Sequence, residues 1–175
     1  MKSLIRKKCL CCNNINLKEI IDLGNHSFAD RFIPKNRLKV KDPQYPLILD
    51  ICDKCKYIQS RYITDPKNRY VSIDYSYTSS NSNYSKNHWI DFANSLEKKA
   101  KLQNKKIIEI GSNDGFLSYQ LKKKGAHVLG VDASEFMVRL SKKKINAIQS
   151  IFTFKESKKV KTLFGEADII IANNV

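Results

Sequence analysis

The stretch Lys106-Ile-Ile-Glu-Ile-Gly-Ser-Asn-Asp-Gly-Phe-Leu117 constrains this chain more than any other. Ile107, Ile108 and Ile110 form a short β-branched run that reads as a buried strand. Gly111 and Gly115 supply the backbone freedom for a tight turn into a helix. Asp114 is placed to cap that helix. About 20 residues beyond the turn, a second apolar run, Val128-Leu-Gly-Val131, ends in Asp132. From residue 105 onward the pattern predicts strand 106–111, helix 115–124, strand 127–132, helix 134–143, a weak strand at 145–149, helix 154–164 and strand 168–172. Such alternation implies an α/β unit with a parallel sheet and right-handed crossovers. The run Ile169-Ile-Ile-Ala172 is expected to be buried on both faces, and Asn173 and Asn174 to emerge at the carboxyl edge of the sheet, where open α/β sheets bind ligands.

The glycine spacing is Glu-x-Gly-x-x-x-Gly, not the Gly-x-Gly-x-x-Gly that packs against a pyrophosphate, and Glu109 stands two positions before the first glycine. An acid at the end of the second strand, here Asp132, is where a Rossmann-type unit holds ribose hydroxyls. Together these features resemble motif I of the class I S-adenosylmethionine-dependent methyltransferases, whose cofactor carries a positive sulfonium and no phosphate.

Upstream, Cys9-Leu-Cys-Cys12 and Cys52-Asp-Lys-Cys55 form two Cys-x-x-Cys pairs separated by 39 residues. Two intervening residues let both sulfurs of a pair face one ion, so Cys9, Cys12, Cys52 and Cys55 are expected to close a tetrahedral Zn2+ site. With four protein ligands the ion has no open position, and its role is structural. Cys11 is left over. Short strands at 15–23 and 45–51, punctuated by Pro34, Pro43 and Pro46, suggest a small β-rich module that depends on its metal. His26, in a polar setting, reads as a surface residue.

Composition bears on partners. The net charge of +15 prompts a nucleic-acid reading, yet it divides almost evenly between residues 1–100 and 101–175 and forms no basic tail. Lys122-Lys-Lys124 and Lys142-Lys-Lys144 fall at predicted helix C-termini, where they complement the helix dipole. No apolar run approaches the roughly 18 residues a membrane span needs, and no signal peptide follows the basic N-terminus. The expectation is a cytoplasmic protein with no membrane or nucleic-acid partner. The division expected is a zinc-binding module at 1–68, a tyrosine-rich connection and helix at 69–104, and a partial S-adenosylmethionine-binding domain at 105–175. In the connection, residues 70–84 are rich in tyrosine and hydroxyls and read either as a linker or as an ordered loop lining a site. Trp89, Phe92, Ala93, Leu96 and Ala100 then follow helical spacing and predict an amphipathic helix over 86–101.

Taken in order, Cys9-x-x-Cys12, Tyr45-Pro-Leu before Cys52-x-x-Cys55, Tyr75-x-Tyr77-x-Ser-Ser80, Glu109-Ile-Gly-Ser-Asn-Asp-Gly115, Gly130-Val-Asp132 and Ala172-Asn-Asn-Val175 resemble the zinc-containing sugar C-methyltransferases, which methylate a carbon of a nucleotide-linked keto-deoxysugar. The resemblance implies that Glu109, Gly111, Ser112, Asn113, Asp114 and Gly115 form the cofactor loop. It implies that Asp132 binds the ribose, with Ala133 and Ser134 near the adenine, and that Tyr75 or Tyr77 and Asn174 reach the sugar. Members of that family continue for roughly as long again and carry a Tyr/Glu/His cluster there. A chain ending at Val175 is therefore expected to be inactive alone or to need a second polypeptide. Two other readings remain open. One is an RNA methyltransferase with a zinc module, against which no Asn-Pro-Pro-Tyr-type sequence follows the fourth strand. The other is a non-catalytic module that binds cofactor or a partner.

Overall fold

The structure is a computed structural model that describes residues 4–29, 33, 35–39, 41–71 and 77–175. It divides into two compact units, residues 1–69 and 70–175.

The first unit contains strands β1 (Leu4–Ile5), β2 (Leu17–His26), β3 (Tyr45–Cys52), β4 (Ile58–Ser60) and β5 (Tyr62–Ile63). β2, β3 and β4 form an antiparallel sheet in that order, and β1 pairs antiparallel with β5. The pairing of β2 with β3 shifts register twice, between Glu19 and Ile21 and between Asp22 and Asn25. Both predicted strands are present, each shifted or extended by a few residues. The buried apolar side chains described here are only Ile48 and two cysteines, Cys9 and Cys52. So little buried apolar surface cannot offset the chain entropy of a module this size, and the unit needs a further staple.

One staple is electrostatic. Asp50, buried on β3, accepts from Arg61 Nη2 at 2.5 Å and from Arg61 Nε at 3.0 Å, while Arg61 Nη1 reaches Glu19 on β2 at 2.8 Å. The two carboxylates push the Arg61 guanidinium further above its ordinary pKa, the hydrogen bonds to Asp50 contributing most. Another is Gln59, which is buried. Its Oε1 accepts from Leu10 N at 2.9 Å and its Nε2 donates to Lys8 O at 3.1 Å, tying β4 to the first cysteine turn.

The second unit opens with helix α1 (Asn83–Ala100), started by Ser82, whose hydroxyl accepts from Ser85 N. That cap places the start three residues before the 86 expected from periodicity alone. There follow β6 (Lys106–Ile110), α2 (Phe116–Lys123), β7 (His127–Asp132), α3 (Glu135–Ser141), β8 (Asn146–Gln149), α4 (Phe154–Phe164) and β9 (Ile169–Ala172). All seven predicted elements occur in order. Thr153 caps α4 through the N–H of Glu156, a Thr-x-x-Glu start.

The four strands are parallel in the order β8-β7-β6-β9. Successive isoleucines of β6 serve opposite faces. Ile107 packs with Val128, Ile171, Leu117, Leu121 and Ala93 beneath α1 and α2. Ile108 packs with Leu129, Val131 and Val160 beneath α4. This alternation is why isoleucines stand on both sides of β6, with Glu109 the one acid among them: both faces of the sheet centre are covered. β9 departs from the expectation. Ile171 is buried, but Ile170 is 62% exposed and Ala172 is also exposed. β9 is one of the two edge strands, and among the described residues no helix lies over its second face. No helix of the described residues is long and apolar enough to cross a membrane.

Candidate functional site

In the first unit, the two cysteine pairs lie on matching turns. Cys9 O accepts from Asn13 N at 2.9 Å, and Cys52 O accepts from Lys56 N at 2.9 Å. Asn13 and Lys56 both take the left-handed conformation, with φ of 59° and 63°. Cys9 N then reaches Asn14 O, and Cys52 N reaches Tyr57 O. Each turn presents its two sulfurs on one side, so the four Sγ atoms of Cys9, Cys12, Cys52 and Cys55 lie within 4.8 Å of one another. Across the pairs, Cys9 Sγ is 3.5 Å from Cys55 Sγ and Cys12 Sγ is 3.6 Å from Cys52 Sγ. Tetrahedral zinc with bonds of about 2.3 Å sets its sulfurs about 3.8 Å apart, so the cluster fits the ion with small adjustments. Cys11 is exposed and outside the cluster, although its N–H donates to Cys9 Sγ at 3.4 Å. Backbone donation from Cys55, with help from Asn14, draws the Cys52 thiol down to about 6. At Cys55 the Tyr57 N–H pulls downward, but desolvation and the neighbouring sulfurs prevail and push the thiol up to about 12. A divalent cation resolves this crowding by displacing the protons.

In the second unit, the glycine turn joins β6 to α2 at the carboxyl edge of the sheet, next to the switch point where β9 takes the other side of β6. Gly111 and Gly115 have φ of 68° and 72°. A Cβ on Gly111 would sit 2.0 Å from Val175 Cγ1, and one on Gly115 would sit 2.8 Å from Ser141 Cβ. Both therefore meet a conformational and a steric demand that only glycine satisfies.

Every N–H of the turn is used within the protein. Gly111 N and Ser112 N donate to Val131 O, and Gly115 N to Ser112 O. Asn113 N donates to Asp132 Oδ2 at 2.7 Å, Asp114 N to Asn113 Oδ1 at 2.9 Å, and Phe116 N to Asp114 Oδ1 at 3.2 Å. The last bond is the helix-starting role expected of Asp114, although Gly115 occupies the cap position itself. Three carboxylates surround the turn. Glu109 is 6% exposed, and its Oε2 accepts from Ser118 N at 3.1 Å and Ser118 Oγ at 2.5 Å, so it faces the first turn of α2. Burial outweighs those bonds and raises Glu109 to about 7. Asp132 is oriented by Asn113 N and, at 2.9 Å, by Ser134 N; desolvation still raises its pKa.

The other sequence-predicted residues fall around this edge. Ser112 is buried and its Oγ has no partner, as is also true of Asn173 Nδ2. Ser134 is buried and its hydroxyl caps α3 through Met137 N, while Ala133 O accepts from Gln149 Nε2. Asn174 is exposed, with φ of 57°, immediately before the valine that covers Gly111. Tyr77 is held through its carbonyl, which accepts from Asn113 Nδ2 at 2.8 Å. Tyr75 lies outside the described residues. What sequence reasoning missed is the anchoring of residues 77–80 on the turn. Ser79 N donates to Asn113 Oδ1 at 2.7 Å, and the hydroxyls of Ser79 and Ser80 donate to the two oxygens of Asp114. The repeated Ser-Ser before a helix was the available signal.

A turn suited to pyrophosphate leaves N–H groups free for its oxygens and keeps carboxylates away. This one does neither. Its satisfied N–H groups and its three carboxylates leave no cradle for phosphate oxygens. The chain is thus an α/β protein, with four clustered cysteines suited to zinc in its first unit and a parallel sheet of alternating strands and helices in its second.

The chain is similar in part to several known proteins. Residues 9–70 match the family model for a methyltransferase-linked "Putative zinc binding domain", a span that includes all four ligands. A curated protein of Methanocaldococcus jannaschii named "Putative protein N5-glutamine methyltransferase" is 32% identical over 79 residues, covering 45% of this chain and 40% of its own length. Among solved structures, magnesium protoporphyrin IX methyltransferase from Synechocystis, with bound SAH, is 21% identical over 51% of this chain and 42% of its own, with a TM-score of 0.41. A "putative RNA methyltransferase" from Pyrococcus horikoshii is 19% identical over 50% and 44%, with a TM-score of 0.40. The chain spans less than half the length of each of these proteins.

Proposed function

We propose that residues 70–175 bind S-adenosylmethionine and serve the C-methylation of a nucleotide-linked keto-deoxysugar, while Cys9, Cys12, Cys52 and Cys55 hold a structural zinc ion. The observation that carries the cofactor is the turn whose N–H groups are all satisfied internally and which is flanked by Glu109, Asp114 and Asp132. When bound, S-adenosylmethionine supplies a methyl group on positive sulfur. Asp132 accepts from the ribose hydroxyls with lone pairs left over from its two backbone donors. The sugar assignment is supported by the ordered motifs of the sequence and by the positions of Tyr77 and Asn174 on either side of the turn, the first tied to Asn113 and the second next to the valine over Gly111. A phenol and a carboxamide are suitable donors to the oxygen of an enolate formed beside a ketone. Tyr75 is a further candidate for that contact.

The M. jannaschii relative favours a second reading, methylation of a glutamine amide nitrogen in a protein. One set of measurements separates the two. Calorimetry should show that S-adenosylmethionine and its demethylated product bind, that NAD does not, and that Asp132→Ala weakens binding by at least about tenfold. Labelled methyl transfer is then assayed on a nucleotide-linked keto-deoxysugar and on a glutamine-containing protein substrate. Binding of NAD in preference to S-adenosylmethionine would overturn the cofactor assignment, and transfer to glutamine alone would overturn the sugar.

A further inference from the structure

We propose that Asn113 and Asp114, with Ser79 and Ser80, form a latch that positions the segment carrying Tyr77 and couples its docking to occupancy of the cofactor turn. The inference rests on the cofactor reading above and extends it to how the site is assembled. Four side-chain contacts span residues 34 to 36 positions apart in sequence: Ser79 N to Asn113 Oδ1, Asn113 Nδ2 to Tyr77 O, and the hydroxyls of Ser79 and Ser80 to Asp114. Asn113 uses both ends of its carboxamide in this arrangement. Its Oδ1 also accepts from Asp114 N, and its backbone N–H reaches Asp132. One residue in the left-handed conformation, φ 51°, thus connects the ribose-side carboxylate, the glycine turn and the Tyr77 backbone.

The energetic consequence follows from burial. Asp114 is 3% exposed and Ser79 8% exposed. A carboxylate shielded to that degree needs its donors, and among the described residues these are Phe116 N and the hydroxyls of Ser79 and Ser80. Undocking residues 77–80 would leave Asp114 short of partners at the start of α2 and would release Asn113 from its left-handed position. Both changes disturb Asp132, because Asn113 N is one of its two orienting donors. By linkage, a ligand that holds Asp132 and the turn in this arrangement favours the docked segment, and the docked segment favours the ligand by the same factor. Ser79 and Ser80 are accordingly positioning residues, and cofactor binding prepares the place of Tyr77.

Hydrogen exchange on the full chain tests this with and without S-adenosylmethionine. In the ligand-free protein, Ser80→Ala and Asp114→Asn should each speed exchange of the Ser79 amide by at least about tenfold, while Ser80→Thr, which keeps the hydroxyl, restores protection. Amides of β6 and β7 should keep their protection, which separates an opened latch from a misfolded unit. Unchanged exchange at Ser79 in both variants would overturn the latch whatever the ligand. With cofactor, the wild-type Ser79 amide should slow further, and Ser80→Ala should weaken cofactor affinity about tenfold with recovery in Ser80→Thr. Equal affinity in Ser80→Ala and wild type would overturn the coupling. If the wild-type chain bound no cofactor while the ligand-free latch behaved as stated, the cofactor reading and the coupling built on it would fall, and only the clamp would stand.

Discussion

Gly115 shows how much one position can demand. Its φ of 72° and the 2.8 Å approach of Ser141 mean that Gly115→Ala should lower stability by about 1–3 kcal/mol in urea unfolding. The glycines and Asp132 were legible in the sequence because their chemistry is local: a turn needs glycine, and a strand end points at a ligand. Glu109 was legible as an acid beside the turn, but its orientation toward Ser118 was not, since that depends on where α2 starts. The consequence is a pH dependence. Glu109 titrates at about 7 in the folded protein against 4.5 unfolded, so its protonated form is favoured by folding. Its contribution is fully present below about 4.5 and is lost as pH rises through 7, on the order of 3 kcal/mol. Unfolding midpoints measured at pH 5 and pH 8 should therefore differ more in the wild type than in Glu109→Gln. Among the cysteines, Cys11→Ser should retain stoichiometric zinc and Cys52→Ser should not, as read by metal analysis after dialysis, because only the latter removes a sulfur from the cluster.

At the level of elements, periodicity located α1, α2, α3 and α4 because their apolar faces recur every three to four residues against a continuous core. The starts of α1, α3 and α4 were set by side chains, Ser82, Ser134 and Thr153, whose hydroxyls accept from the first turn, while the cap of α2 is Gly115. In the second unit β9 was placed correctly, but it is not buried on both faces. An apolar run says that both faces could be buried, but burial requires a covering element, and Ile170 has none among the described residues. The β3–β4 pair of the first unit supplies a sharper test. Asp50 is buried and held by Arg61, so Arg61→Ala leaves a shielded carboxylate without its partner. A loss of about 2–4 kcal/mol is expected, somewhat reduced because Arg61 is itself 26% exposed, and it should appear as a lower unfolding midpoint of the zinc-loaded chain. Nothing in the sequence marked this pair, which joins residues eleven apart across a turn.

Over the whole molecule, the two units draw on different sources of stability. Residues 70–175 have apolar cores on both faces of a parallel sheet, whereas the described residues of the first unit bury few apolar side chains and gather four cysteine sulfurs, of which those of Cys9 and Cys52 are buried. Removing zinc with a chelator should therefore melt the strand signal of the first unit while the helical circular dichroism of the second persists, with a single zinc per chain released. Simultaneous loss of both signals would show that the second unit depends on the first.

The sequence by itself determined what is written in short-range pattern: two cysteine turns of equal spacing, alternating strands and helices, and a glycine turn that opens a helix with an acid following the next strand. Only the tertiary structure decided which distant groups satisfy one another. It set Arg61 on Asp50 and brought Ser79 and Ser80 onto Asp114, whereas the grouping of the four cysteines was already readable from their spacing. The physical reason is that a buried polar group must find a partner wherever the fold places one, and that choice carries no periodicity along the chain. The glycine turn could be recognised from its own residues; which of its groups residues 77–80 dock on was decided only by the fold.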